Sequence, residues 1–172
     1  PRFGFTETQV KGETVSVREE IVESRAFGTL LRFVREGVED APKLLVVAPM
    51  SGHYATLLRG TVERLLHEHD VYITDWADAR EVPVSEGRFG LEDYIDYVMD
   101  WVRLIGPGTH MLAVCQPSVP ALAATALMNA AKDPCRPASL TMMGGPIDTR
   151  EGMTEVNRIS MERPLAWFKQ FA

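Results

Sequence analysis

The sequence predicts an α/β protein: a mostly parallel sheet with helices on both faces. Three observations carry this. From about residue 43 to 145, short apolar runs alternate with segments of helical periodicity, as βαβ units require. The run "KLLVVAP" (43–49) is apolar without a break, as in a strand covered on both faces. Strong breakers separate the two kinds of segment, above all Gly106-Pro107-Gly108.

The elements follow in order. "ETVSVREEIVES" (13–24) and "FGTLLRFVRE" (27–36) carry β-branched and aromatic residues between charges and read as strands, although neither alternates cleanly. Lying ahead of the parallel part, they predict an antiparallel edge. "ATLLRGTVERLLHEH" (55–69) places Leu57, Leu58, Val62, Leu65 and Leu66 at helical spacing, and "DVYITDW" (70–76) is strand-like. "LEDYIDYVMDWVRLIG" (91–106) is an amphipathic helix. "THMLAVC" (109–115) reads as a strand, "SVPALAATALMNAAK" (118–132) as a helix, and "ASLTMMGG" (138–145) as a strand with Met142 and Met143 in the core. The last segment leaves the alternation and ends in a short aromatic-rich helix, "PLAWFKQFA" (164–172). Residues 1–150 are therefore expected to form the N-terminal portion of the sheet domain. Residues 151–172 are expected to open a cap or lid subdomain, or to be a truncated connection, with an exposed apolar patch around Leu165, Trp167, Phe168 and Phe171.

Composition narrows the function classes. Hydrophobic residues make up 45% and charged residues 24%, the mix of a soluble globular domain. A net charge of −6 argues against a nucleic-acid partner. No apolar run approaches the ~18 residues of a membrane span. Two cysteines, Cys115 and Cys135, do not make a disulfide framework and fit a reducing compartment, although a chain beginning at Pro1 leaves a removed signal peptide open. The histidine and carboxylate spacings form no zinc pattern, so the reading includes no metal and no cofactor.

Chemistry concentrates at "HMLAVCQPSVPALAA" (110–124). Ligands of an open parallel sheet sit beyond the carboxyl ends of its strands, and Cys115 falls at such an end. It also precedes a helix, whose N-terminal N–H groups and dipole favour an anion and so suit a nucleophilic thiolate. Pro117 fits the first helical turn, where a missing N–H costs nothing. The stretch Ala113-Val114-Cys115-Gln116-Pro117 works like the strand-to-helix nucleophile elbow of α/β-hydrolases, with Pro117 departing from the usual small residue. The competing reading makes Cys115 a small buried hydrophobe. The upstream strand ends in Met50-Ser51-Gly52-His53, a loop of the kind that supplies one oxyanion donor. Gln116 supplies the other, and Met50 or Ser51 is the loop donor.

Together, "LLVVAPMSGHYATLLRGTVERLL", "VYITDWADAREVPVSEGRFGLEDYIDYVMDWV", "HMLAVCQPSVPALAA" and "LTMMGGPIDTR" resemble the intracellular polyhydroxyalkanoate (poly(3-hydroxybutyrate)) depolymerases of bacteria. The resemblance implies an α/β-hydrolase-like fold, of which this chain would hold the N-terminal part. It implies Cys115 as the nucleophile on a 3-hydroxyalkanoate ester, the polymer at a granule surface as partner, and a cytoplasmic location. "CQP" is then the family's own form of the elbow. His53 and Trp76 are expected to bind substrate, with an equal alternative for Trp76: a surface loop follows it and its ring packs on the helix below. None of the four histidines, His53, His67, His69 and His110, follows Cys115, so the triad acid and base are expected beyond Ala172; Asp148 reads as a turn or hinge residue. Two alternatives stand beside hydrolysis: acyl transfer as in the polyester synthases, and granule binding without catalysis.

Overall fold

The structure, a computed structural model, describes residues 2–50 and 54–171. Its framework is one seven-stranded sheet in the order β1-β2-β3-β5-β4-β6-β7. The strands are β1 (Glu7–Val10), β2 (Glu13–Arg25), β3 (Gly28–Arg35), β4 (Lys43–Val47), β5 (Asp70–Trp76), β6 (His110–Val114) and β7 (Ser139–Met143). The helices are α1 (Arg59–Leu65), α2 (Leu91–Ile105), α3 (Ser118–Ala130), α4 (Glu155–Glu162) and α5 (Leu165–Phe171). β5, β4, β6 and β7 are parallel, whereas β1, β2 and β3 continue the sheet antiparallel from β5. The sheet is thus more evenly mixed than the sequence predicts, because the short β1 adds a third antiparallel strand.

The apolar β4 lies inside the sheet, between β5 and β6, and explains the layering. Leu44 and Val46 pack in one layer with Leu58, Val62 and Leu66 from the α1 side. Leu45 and Val47 pack in the other with Val98, Trp101 and Val102 of α2 and Ala121, Ala124 and Met128 of α3. The chain leaves β4 through α1 to β5 on one side, then returns through α2 to β6 on the other. That reversal is the topological switch point, and its crevice opens at the carboxyl ends of β4 and β6.

Several expectations change in detail. The helix expected over 55–69 begins as a 3-10 turn at Ala55–Leu58 and becomes α-helical only from Arg59. The tighter turn rotates Leu57 out of the apolar stripe, and it is exposed. Arg35, itself buried, donates Nη1 to the Leu66 carbonyl at 2.8 Å and caps the helix end. Met142 and Met143 are not core: they are 41% and 49% exposed, because β7 is an edge strand. Leu165 is exposed as expected, while Trp167 and Phe168 are half-buried and meet edge to face at 5.1 Å. The Phe171 side chain lies outside the described residues. α4 was not legible in the periodicity; Thr154 caps it by accepting from the Asn157 N–H.

β2 fails to alternate for a physical reason. A bulge between Ile21 and Glu23 shifts its register against β3. Beyond it, Glu23 Oε2 accepts from Trp101 Nε1 at 2.8 Å and from Arg25 Nε at 2.7 Å, and Arg25 Nη1 reaches Asp100 at 3.0 Å. The exposed edge is thereby fastened to α2. The same region is tightly packed: a Cβ on Gly28 would lie 2.9 Å from Trp76 Cε3 and 3.2 Å from Trp101 Cη2. Gly28→Ala is therefore expected to cost about 1–3 kcal/mol through overpacking, measured as a lower urea midpoint at constant slope.

Candidate active site

β6 delivers Cys115 to the crevice. Met111, Leu112 and Ala113 are buried, and the strand ends at Val114. The Cys115 N–H still bonds to the end of β7, donating to the Met143 carbonyl at 2.8 Å. The backbone then turns sharply: Cys115 has φ +67°. Such a conformation costs a non-glycine residue on the order of 1 kcal/mol and persists only where the surroundings hold it. Here the first turn of α3 holds it. The Cys115 carbonyl accepts from the Ser118 N–H at 3.0 Å, and the Pro117 carbonyl accepts from the Ala121 N–H at 2.9 Å. Cys115 itself is exposed, so the reading of a small buried hydrophobe fails on burial and on backbone geometry together.

A third strand end closes on the turn. A Cβ on Gly145, just past β7, would lie 2.0 Å from Ser118 Oγ and 3.0 Å from the Cys115 carbonyl. Only a residue without a side chain lets the β7 terminus lie against the helix start. Ser118 is fully buried there, and its Oγ has no hydrogen-bond partner among the described residues.

Across the crevice lies Met50, from the loop after β4. Its N–H donates to Gln116 Oε1 at 3.1 Å. Two of the three sequence-predicted oxyanion residues are thus brought together, but through the Gln116 side chain, which periodicity and spacing could not reveal. The Gln116 N–H has no acceptor among the described residues, as suits a donor at a helix start. Ser51 and His53 lie outside the described residues.

Trp76 is the last residue of β5 and packs on α2, as its alternative reading expects. It is 9% exposed and packs on Tyr94 at 4.4 Å, Trp101 at 5.3 Å and Phe89 at 5.9 Å between ring centroids. It also helps line a cavity of about 570 Å³ with Met50, Tyr54, Asp78 and Arg80. At the rim the Arg80 guanidinium, hydrogen-bonded to Asp78, pulls that carboxyl down to about 2, so the two are an ion pair at neutral pH. A larger cavity, about 780 Å³, includes Arg35, Asp40, Pro42 and His67. It lies at the amino end of β4, away from the thiol, and plays no part in this chemistry.

The other candidate groups are placed by the same topology. His69 precedes β5 and His110 opens β6, so both are at the amino ends of parallel strands, and His67 is beside them. Their Nδ1 atoms meet the Leu65 carbonyl at 3.3 Å, Ser139 Oγ at 2.8 Å and Arg64 at 3.3 Å, respectively. Asp148 accepts from the Arg150 N–H at 3.0 Å and from its Nε at 2.8 Å, a local turn as expected. Among the described candidates, Cys115, Gln116 and Met50 meet at the turn, and Met50 shares a cavity with Trp76.

The elbow's dependence on Gly145 is testable. Gly145→Ala is expected to destabilise the protein by at least about 1–3 kcal/mol, because the methyl group meets helix atoms rather than a yielding side-chain end. Alkylation by iodoacetamide should then lose its preference for Cys115 over the half-buried Cys135, read by peptide mass mapping.

Comparison with known proteins bears on the fold. Brefeldin A esterase, a bacterial homologue of human hormone-sensitive lipase, aligns at TM-score 0.52 and 17% identity, over 84% of this chain and 44% of its own. A hypothetical protein from Pseudomonas aeruginosa aligns at TM-score 0.52 and 14% identity, over 98% of this chain and 56% of its own. The chain spans about half the length of these structures. No family model and no curated protein matches the chain. At these identities the likeness concerns the fold: a mixed α/β sheet with parallel core strands, α/β-hydrolase-like.

Proposed function

We propose that the protein is a carboxylic ester hydrolase acting through Cys115, and that its substrate is stored 3-hydroxyalkanoate polyester, poly(3-hydroxybutyrate) in particular. One observation carries the nucleophile: an exposed cysteine at φ +67° between β6 and α3, at the switch point of the sheet. The substrate class rests on the sequence resemblance to the intracellular polyhydroxyalkanoate depolymerases.

The chemistry follows from the geometry. Sγ attacks the ester carbonyl carbon, and the new oxyanion takes the Gln116 N–H and a donor from the loop after β4, Met50 or Ser51. For Met50 to serve, Gln116 Oε1 must first release its N–H. The carbon–oxygen bond then breaks, the alkoxide leaves with a proton, and water cleaves the thioester at Cys115. The acid and base for the proton steps are not His67, His69 or His110, which lie at the other end of the strands. Tyr54, Trp76 and the Asp78–Arg80 rim form the wall along which the polymer lies in this reading, in a protein located in the cytoplasm at the granule surface.

The position of those three histidines favours one second reading, a granule-binding protein without turnover. Cys115→Ala separates the two. In a protein that also carries the triad acid and base, it is expected to lower release of 3-hydroxybutyrate from amorphous polymer by roughly a thousandfold or more, without loss of folding, while Cys115→Ser keeps a measurable fraction. Release that is unchanged in the alanine variant removes Cys115 from the mechanism. Polymer binding with neither release nor acylation of Cys115, in a protein that carries the acid and base, supports the second reading.

A further inference from the structure

β4 leaves its ladder at Val47, yet the next residue, Ala48, is fully buried. Its N–H and carbonyl are cut off from water and must be satisfied by other means. Side chains at the end of β5 do this. Thr74 Oγ1 accepts from the Ala48 N–H at 3.0 Å, and Trp76 Nε1 donates to the Ala48 carbonyl at 2.8 Å. Tyr94 of α2 adds its hydroxyl to the same carbonyl at 3.3 Å; burial pushes its phenol above the ordinary tyrosine range, so it stays a donor. Between Thr74 and Trp76, the half-buried Asp75 lies on the other face of the strand, lining a cavity with Phe5 and Leu31. Two residues of one strand therefore hold the start of the loop that carries Met50.

We infer that Thr74 and Trp76 are positioning residues for the reaction: a clamp that aims the Met50 donor at the elbow by fixing the peptide two residues before it. The inference rests on the ester-hydrolase reading. It adds to Trp76, a wall residue of the substrate cavity in that reading, the setting of the oxyanion loop. The indole is the strongest part of the clamp, because it is locked among Phe89, Tyr94 and Trp101 and transmits that rigidity to the Ala48 carbonyl. A loop held in this way keeps its donor in place before substrate arrives, which is where displacement by about 1 Å is costly.

Two variants test the clamp. Trp76→Phe keeps an aromatic ring and removes the N–H. Thr74→Val keeps the shape and removes the acceptor, and Thr74→Ser restores it. Backbone amide chemical shifts of Ala48, Met50 and Gln116 read the geometry without any activity, with Val62→Ala in the other layer as a control for general loosening. The burst rate with p-nitrophenyl 3-hydroxybutyrate reads the consequence. We expect the three amides to move in Trp76→Phe and Thr74→Val, but not in Val62→Ala. The burst rate should fall about ten- to a hundredfold at a KM within about twofold, and Thr74→Ser should recover it. Unmoved amides overturn the clamp whatever the activity. Moved amides with an unchanged burst rate, or with a loss confined to KM, overturn its role in positioning. Failure of the hydrolase reading itself appears separately, as a burst that persists in Cys115→Ala.

Discussion

β4 has no face that water can touch, and the architecture of the site follows from that. Leu44, Leu45, Val46 and Val47 point alternately to two apolar layers, so one must be covered by α1 and the other by α2 and α3. A chain that covers a parallel strand on both faces must cross over on one side and return on the other. The crevice at that reversal is bounded by whatever follows β4 and β6. Those two strand ends carry Met50 and Cys115.

The crevice then needs rigidity at atomic scale, and it is obtained from three directions. The unfavourable backbone of Cys115 is held by the Met143 carbonyl behind it and by Ser118 ahead of it. The β7 terminus presses close only because Gly145 has no side chain. The loop opposite is tied through Ala48 to Thr74, Trp76 and Tyr94, all buried. Much of the α2 layer, including the Trp101–Glu23 bond that fastens the antiparallel edge, serves to keep that aromatic wall in place. The layer that packs the fold thus also aligns the site.

What could be read in the sequence is what short-range pattern encodes. The β4, β5 and β6 strands and the α2 and α3 helices have strong periodicity and strong stops, and the elbow sits where a strand pattern changes to a helix pattern. The short β1 leaves little pattern. β2 hides its alternation behind a bulge made to bring Glu23 to Trp101. Met142 and Met143 read as core because an apolar run does not say whether its strand has a neighbour on each side. The site was legible in its main-chain logic, Cys115 with Gln116 and Met50. Its side-chain logic was not: the Gln116 carboxamide on the Met50 N–H and the indole on the Ala48 carbonyl join residues 66 and 28 positions apart. No local signal marks such pairs.

The central claim is that Cys115 is a poised nucleophile on this chain, even where no described histidine can assist it. An activated ester isolates that property, because p-nitrophenolate leaves with the bonding electron pair and needs no proton. Sγ bonds to the carbonyl carbon as the aryl–oxygen group departs, and a thioester remains. Residues 1–172 treated with p-nitrophenyl 3-hydroxybutyrate should gain one 3-hydroxybutyryl group, and peptide mass mapping should place it on the Cys115 peptide and not on Cys135. Negligible release afterwards would agree with the acid and base lying outside the described residues. An adduct on Cys135 alone, or none at all on the folded protein, would contradict the account.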